Sequence, residues 1–361
     1  MANNQRRFFG SFYPIVALVV ALSLTLMLGC GEDYNTPSGP EEVQESLLLS
    51  PDNPQIRAVM AIQDRHTEEI MSKPGVVGIA TGLNADGQPA IIIFMESQTL
   101  AKKAFLPDEF ESVPVIVQVT GPIKALKGKP PGNGDNVDPT ARFDRPVPIG
   151  VSTGHPAITA GTIGCRVTDG ANVYALTNNH VYADENQASI GDPVIQPGTF
   201  DGGSSPADDL GNLFDFEPIV FSTSANNVID AAIALSSITD LGNSTPSDGY
   251  GTPQSTTVIA SVGLKVKKYG RTTGQTKGRI SAINATVNVG YSTGVARFVN
   301  QIVITPGSFS AGGDSGSLIV VEKGADKGKP VGLLFAGSSL HTIANPIDAV
   351  LTRFGVTIDG Q

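Results

Sequence analysis

Three short stretches of this chain hold residue types that together can do nucleophilic chemistry. Ala175-Leu176-Thr177-Asn178-Asn179-His180-Val181 is an apolar run with a histidine just beyond it. Asn227-Val228-Ile229-Asp230-Ala231-Ala232 sets one aspartate at the entry to a second apolar run. Ser310-Ala311-Gly312-Gly313-Asp314-Ser315-Gly316-Ser317 is a glycine-rich turn leading into Leu318-Ile319. A serine hydroxyl is a poor nucleophile at neutral pH and needs a base beside it. Histidine suits that task because its pKa lies near the working pH. An aspartate fixes the imidazole tautomer and stabilises its charged form. Glycines beside the serine let the backbone turn tightly, so that the N–H groups of Gly313 and Ser315 can face a developing oxyanion. Asp208, Asp209 and Asp215, in the preceding loop, compete with Asp230 for the third role.

The order His180, Asp230, Ser315 and the core Gly313-Asp314-Ser315-Gly316 resemble the chymotrypsin-like, or trypsin-like, serine peptidases of the bacterial type. The intervals are 230 − 180 = 50 and 315 − 230 = 85 residues, and the likeness spans about Ile149 to Gly355. Asn179 stands where alanine is common in that family, and Ser317 replaces a usual glycine. The resemblance implies a two-barrel fold, a polypeptide substrate and hydrolysis through an acyl-enzyme. It makes Val331 to Ser338 the strand that receives an extended substrate, with Phe335 and Gly337 at the site and Gly337 offering its N–H and C=O. It places Phe309, six residues before Ser315, at the floor of the specificity pocket. A ring there implies small or medium apolar side chains rather than Lys or Arg, with an acidic side chain read by His341 as a remote option. It also pairs Asp314 with an internal cation, Lys268 or alternatively Arg271, which would activate the domain without cleavage. A chain with this fold but no activity, holding peptides or envelope proteins, is the competing function; an esterase is a third.

The elements that must position these groups are mostly short strands. With 41 glycines, 25 prolines and no tryptophan among 361 residues, the composition favours strands and turns. Strands are expected at Gly161 to Val167, Val173 to Thr177, Ala231 to Leu235, Val258 to Val262, Gly278 to Ile283, Phe298 to Thr305, Leu318 to Val321 and Val331 to Phe335. Ahead of them, Asn53-Pro54 reads as a helix start. Ile56, Val59, Met60 and Ile70 share one face of that helix. Val76 to Thr81 and Ala90 to Met95 flank the turn Asn84-Ala85-Asp86-Gly87 as a hairpin, and Val113 to Val119 reads as a third strand. The expected fold class is therefore mainly β: a two-barrel domain at 148–361, preceded by a small α/β domain at 49–126 and a linker at 127–147. The α/β part is either a pro-domain or a permanent accessory domain.

The first thirty residues read as an address. Arg6 and Arg7 precede an apolar run from Ile15 to Gly29. Leu26-Met27-Leu28-Gly29-Cys30 resembles the bacterial lipobox, which implies a lipid on Cys30 and a place in the cell envelope, facing the periplasm or cell surface. An uncleaved anchor and a plain signal peptide are the alternatives. Residues 31–48 have the composition of a flexible tether. The formal net charge of −10 argues against nucleic acid, whose binders need a basic stripe. The four histidines lack paired metal-ligand spacing, so neither a metal nor another cofactor is expected. Cys165, without a partner, reads as a small buried apolar residue. The oligomeric state has no signature in the sequence.

Overall fold

The structure, a computed structural model, describes residues 50–126 and 137–361. The signal-like start, Cys30, the tether at 31–48 and the first ten residues of the linker lie outside the described residues.

Helix α1 (Pro54–Met71) starts where the sequence places it, with the Asn53 side chain accepting from the N–H groups of Gln55 at 2.8 Å and Ile56 at 3.3 Å. Ile56, Val59 and Ile70 are buried, and Met60 is half-buried. Strands β1 (Val76–Leu83) and β2 (Pro89–Met95) form the expected hairpin, with Ile79 opposite Ile93. After α2 (Gln98–Lys103) and the short β3 (Glu109–Phe110), β4 (Val113–Val119) lies parallel to β2. A three-residue strand, β5 (Ile123–Ala125), closes the segment.

The remainder is mainly β. Strands β6 (Ser152–Thr153) and β7 (Gly161–Thr162) pair with each other. Then come β8 (Cys165–Thr168), β9 (Val173–Thr177), the single turn α3 (Asn179–Tyr182), β10 (Pro193–Ile195), β11 (Asp209–Phe216) and β12 (Ala232–Ser236). The second half contains β13 (Lys265–Gly270), β14 (Gly274–Gly290), β15 (Val295–Thr305), β16 (Leu318–Val321), β17 (Pro330–Gly337), β18 (Thr342–Pro346), α4 (Ile347–Phe354) and β19 (Thr357–Ile358).

Two sheets organise these strands. One runs β10-β11-β12-β9-β8-β19. In the other, β13-β16-β17-β18-β15-β14 closes on itself because β13 also pairs with β14. Side chains alternate across that closed barrel. Val266, Ile280, Ile302, Ile304, Ile319, Leu334 and Ala344 gather in one apolar cluster, to which every strand of the barrel contributes. Leu318, Val320 and Leu333, of opposite parity, pack instead into the cluster formed by the first sheet. The two β units are thus joined by an apolar layer.

Strand β14 is 17 residues long and serves two neighbours in succession along one edge. Its first six residues pair with β13 and close the barrel, while Ala282 to Val287 pair with β1. The α/β segment therefore extends the barrel sheet through β14-β1-β2-β4. Gln63 of α1 locks this seam: its Nε2 donates to the Asn284 carbonyl at 2.7 Å, and its Oε1 accepts from Thr81 Oγ1 at 2.6 Å.

Two strand expectations need correction. Val258 to Val262 is not a strand: the run meets a turn at Ser261–Gly263, and Val258 N–H bonds to the Pro330 carbonyl outside any ladder. Gly161 to Val167 is broken at Ile163-Gly164, where the backbone passes so close to Gly316 that a Cβ at Gly164 would lie 2.4 Å from its carbonyl oxygen.

Candidate active site

Antiparallel pairing brings the first two groups together. Thr177 at the end of β9 faces Ala232 at the start of β12. His180, three residues past Thr177, and Asp230, two residues before Ala232, therefore meet at one end of the sheet. Asn178 ties the ends together, its Nδ2 donating to the Asp230 carbonyl at 2.7 Å. His180 Nδ1 lies 2.6 Å from Asp230 Oδ2, and both side chains are buried. A carboxylate only accepts, so Nδ1 carries the proton and Nε2 is the free basic nitrogen of the neutral ring. Nε2 is buried with no hydrogen-bond partner among the described residues. The three competing aspartates are elsewhere: Asp208 pairs with Arg142, Asp215 pairs with Arg353, and Asp209 is an exposed residue of β11.

Sequence reasoning missed a second partner of Asp230. Tyr291 donates its hydroxyl to Asp230 Oδ2 at 2.8 Å, and its ring stands edge-on to His180 with centroids 5.9 Å apart. Burial, with the Asp230 charge beside it, holds the phenol pKa well above its ordinary value, so Tyr291 stays a donor. Asn345 adds a third tie, its Oδ1 accepting from Asp230 N–H at 3.1 Å.

Ser315 sits in the turn before β16, fully buried. The turn requires glycine after the serine: Gly316 has φ +93°, and a Cβ there would lie 2.0 Å from Thr177 Oγ1. Across Gly161 the two halves of the site approach one another. A Cβ at Gly161 would stand 2.5 Å from the side chain of Val181 and 3.2 Å from the Ser315 carbonyl oxygen. The Ser315 hydroxyl donates to the Phe335 carbonyl at 3.1 Å rather than to His180 Nε2.

Asp314 lies beneath the turn. Lys268 Nζ is 3.2 Å from Asp314 Oδ2, and neither side chain is exposed. Burial lowers the lysine pKa, and the Asp314 charge opposes that shift. The Asp314 carboxylate also accepts from the backbone N–H groups of Ala311, Thr272 and Thr273 and from Thr273 Oγ1, at 2.7 to 3.2 Å. Arg271, the alternative cation, pairs with Asp201 instead.

Strand β17 runs beside Ser315. The Phe335 ring is buried and packs on Phe298 with centroids 4.8 Å apart, so this residue meets Ser315 through its carbonyl. Phe309 is fully buried within the barrel cluster. His341 is also buried, Nε2 meeting Gln118 Oε1 of β4 at 2.8 Å, and burial lowers its pKa to about 4. The β17 edge carries a partner from the chain itself: β5 runs antiparallel to it, with Ala125 opposite Ala336 and Lys124 opposite Gly337. Just beyond β5, Leu126 N–H donates to the Phe335 carbonyl at 3.3 Å, and the Leu126 carbonyl accepts from Gly313 N–H at 3.0 Å. Cys165 is buried and free, its thiol pKa pushed up by desolvation.

Residues 229–344 match the family model described as the Nal1 C-terminal domain, a span that holds Asp230 and Ser315 but not His180. No curated protein matches the chain. Among solved structures, the chain is similar to a glutamic acid-specific serine protease described as using a histidine triad in substrate binding. That likeness has 23% identity over 59% of this chain and 100% of the other, with a TM-score of 0.42. Thermobifida fusca Protease A shows 20% identity over 60% and 99% of the two chains, with a TM-score of 0.43. A Nocardiopsis protease shows 19% identity over 59% and 98%, with a TM-score of 0.40.

Proposed function

We propose that this chain is a serine endopeptidase that hydrolyses polypeptide through Ser315, His180 and Asp230, held in the bacterial cell envelope, facing the periplasm or cell surface, by a lipid on Cys30. The observation that carries the catalytic reading is the Gly313 N–H: it bonds a peptide carbonyl in the turn that holds Ser315, across Gly161 from the buried His180–Asp230 pair. In this reading that donor faces the negative charge that develops during acyl transfer. Loss of one such donor costs about 10²- to 10³-fold in rate.

The roles follow from the bonds present. Asp230 fixes the tautomer that leaves Nε2 unprotonated. Ser315 turns from the Phe335 carbonyl to Nε2, gives up its proton there and adds to the substrate carbonyl. His180 returns the proton to the leaving amine, the acyl-enzyme forms, and water then releases it. Tyr291 acts through Asp230 as a positioning residue. The Lys268–Asp314 pair holds the Gly313–Ser315 turn in shape without any new N-terminus. Substrate takes as a strand the edge of Phe335-Ala336-Gly337 that β5 occupies in this structure.

Digestion of a peptide library by wild type and by Ser315→Ala tests the reading. Wild type is expected to cut after apolar side chains and Ser315→Ala to leave the library intact. A library untouched by both would favour the binding module and end the peptidase proposal.

A further inference from the structure

The net charge of −10 hides a basic face on the barrel. Along β13, Val266 and Lys268 are buried, while Lys265 is exposed and Lys267 half-buried. Across the β13–β14 pairing, Lys265 lies opposite Arg279 and Lys267 opposite Lys277. Like charges set directly opposite one another destabilise a sheet, so strand pairing gives no reason for this arrangement. Burial and the nearby charges of Lys327 and Lys277 lower the Lys267 pKa, so the turn after β16 borders the same face. That turn adds exposed Lys323 and Lys327. Of its two carboxylates, Glu322 sits 2.7 Å from Lys277 and Asp326 pairs with Lys329. Ser315 precedes β16 and Lys323 follows it, so the basic face stands at the far end of that strand from Ser315.

Two observations bear on what this face meets. The described chain enters beside it: Pro51 shares a hollow with Val258 and Val331, and the Val258 N–H bonds the carbonyl of Pro330, the residue after Lys329. Cys30 is 51 − 30 = 21 residues upstream of Pro51. The side chains themselves exclude a second class of partner. Tyr269, the one ring within 265–279 and 322–329, is buried, so bases would find no stacking platform. All the cations but Arg279 are lysines, flexible point charges that suit many mobile headgroups better than one fixed anion.

Resting on the membrane tether of the proposed function, we propose that this face docks on the anionic phospholipid headgroups of the membrane that carries the lipid. Tether and face are then two contacts made by one chain. The first raises the concentration of headgroups at the second, and the second fixes which way the domain points. Headgroup phosphates over the Lys265–Arg279 and Lys267–Lys277 pairs relieve the repulsion that the free fold carries. With this face down, Ser315 lies at the other end of β16, turned away from the bilayer and open to polypeptide.

The test uses the full chain on vesicles of phosphatidylcholine, alone or mixed with phosphatidylglycerol, both containing a lipid with a quencher on its headgroup. A fluorophore is carried at Ala325→Cys, in the exposed turn between Lys323 and Lys327, or at Ala157→Cys, exposed near His155, whose N–H bonds the Val181 carbonyl beside His180. Cys165 is buried, and peptide mapping confirms that the introduced cysteine holds the label. Quenching is expected at Ala325→Cys on the mixed vesicles, fading on phosphatidylcholine alone and in high salt, with Ala157→Cys unquenched throughout. Lys265→Gln, Lys323→Gln and Lys327→Gln together, added to the Ala325→Cys chain, are expected to lower the ratio of docked to undocked protein about 100-fold. The urea midpoint of that variant should equal or exceed its parent's, because like charges have been removed, and its peptide hydrolysis in solution should match. A chain held on phosphatidylcholine whose Ala325→Cys label ignores phosphatidylglycerol would overturn docking and leave the tether standing. Undiminished quenching in the triple variant, or quenching at Ala157→Cys instead, would overturn the assigned face. A response to added duplex DNA but not to phosphatidylglycerol would give the face to nucleic acid and overturn the proposal. A chain that does not sediment with phosphatidylcholine vesicles would bring down the tether. Quenching of that chain by the mixed vesicles would still support the docking face, and its absence would overturn both.

Discussion

The α/β segment lays two strands against the same barrel, and they serve different ends. Strand β1 joins β14 along Gly78 to Gly82, is buried along most of its length and carries β2 and β4 behind it. Its last side-chain tie is Thr81 to Gln63, a hydrogen bond inside a packed seam. Strand β5 touches β17 with only two opposed residue pairs, and beyond it lies the Leu126 carbonyl on Gly313. Both are strand addition to one sheet. At the scaffold edge β1 lies in a packed seam, whereas β5 leads to the turn that holds Ser315.

Changes beside Ser315 are expected to cost rate, and changes at the scaffold edge to cost stability. The largest effect is Asp230→Asn, which keeps the shape of the His180 contact but favours the wrong tautomer. It is expected to lower kcat by about 10⁴-fold with little change in unfolding. Steady-state kinetics and urea unfolding on one preparation separate the two effects. Lys268→Ala comes next and should move both readouts, because it leaves the Asp314 carboxylate buried without its cation under the turn. Breaking such a pair costs about 3–5 kcal/mol, read as a lower urea midpoint together with reduced hydrolysis. Unchanged activity and folding would refute the activating role of the pair.

Acid should weaken the contact between the turn before β18 and β4. His341 titrates at about 4 in the fold because burial disfavours its charged form, against 6.5 ordinarily. The unfolded chain therefore binds the proton more readily, and stability falls as pH drops from about 6.5 to about 4. A lowering of that size corresponds to about 3 kcal/mol. His341→Gln is expected to flatten that part of the stability–pH curve. The smallest effect is Thr81→Val at the scaffold edge, which leaves Gln63 Oε1 without its donor. A loss of about 1–3 kcal/mol in unfolding is expected, with kcat unchanged.

Much of this was legible in the residues. The Asn53 cap, the hairpin around Asn84–Gly87 and the order His180, Asp230, Ser315 all rest on local chemistry, which a sequence displays directly. The strand edges that carry His180 and Asp230 could be read because apolar runs stop abruptly beside them. What escaped depends on distant partners. Ile-Lys-Ala is too short and mixed to announce a strand, and Ala125 meets Ala336 only in the folded sheet. Tyr291 lies 61 residues from Asp230, and a tyrosine in a loop gives no hint of its acceptor. Arg271 and Lys268 look equivalent along the chain, yet only the three-dimensional path hands Asp201 to one and Asp314 to the other. Val258 to Val262 shows the converse, an apolar run in which Val258, Ala260 and Val262 pack while the backbone joins no ladder.

The most direct test is to treat the wild-type preparation with a fluorophosphonate and locate the adduct by peptide mapping. The account predicts one adduct, on Ser315, which disappears in His180→Ala because the base is gone. An adduct on any other residue, or none while a control peptidase is labelled, would contradict it.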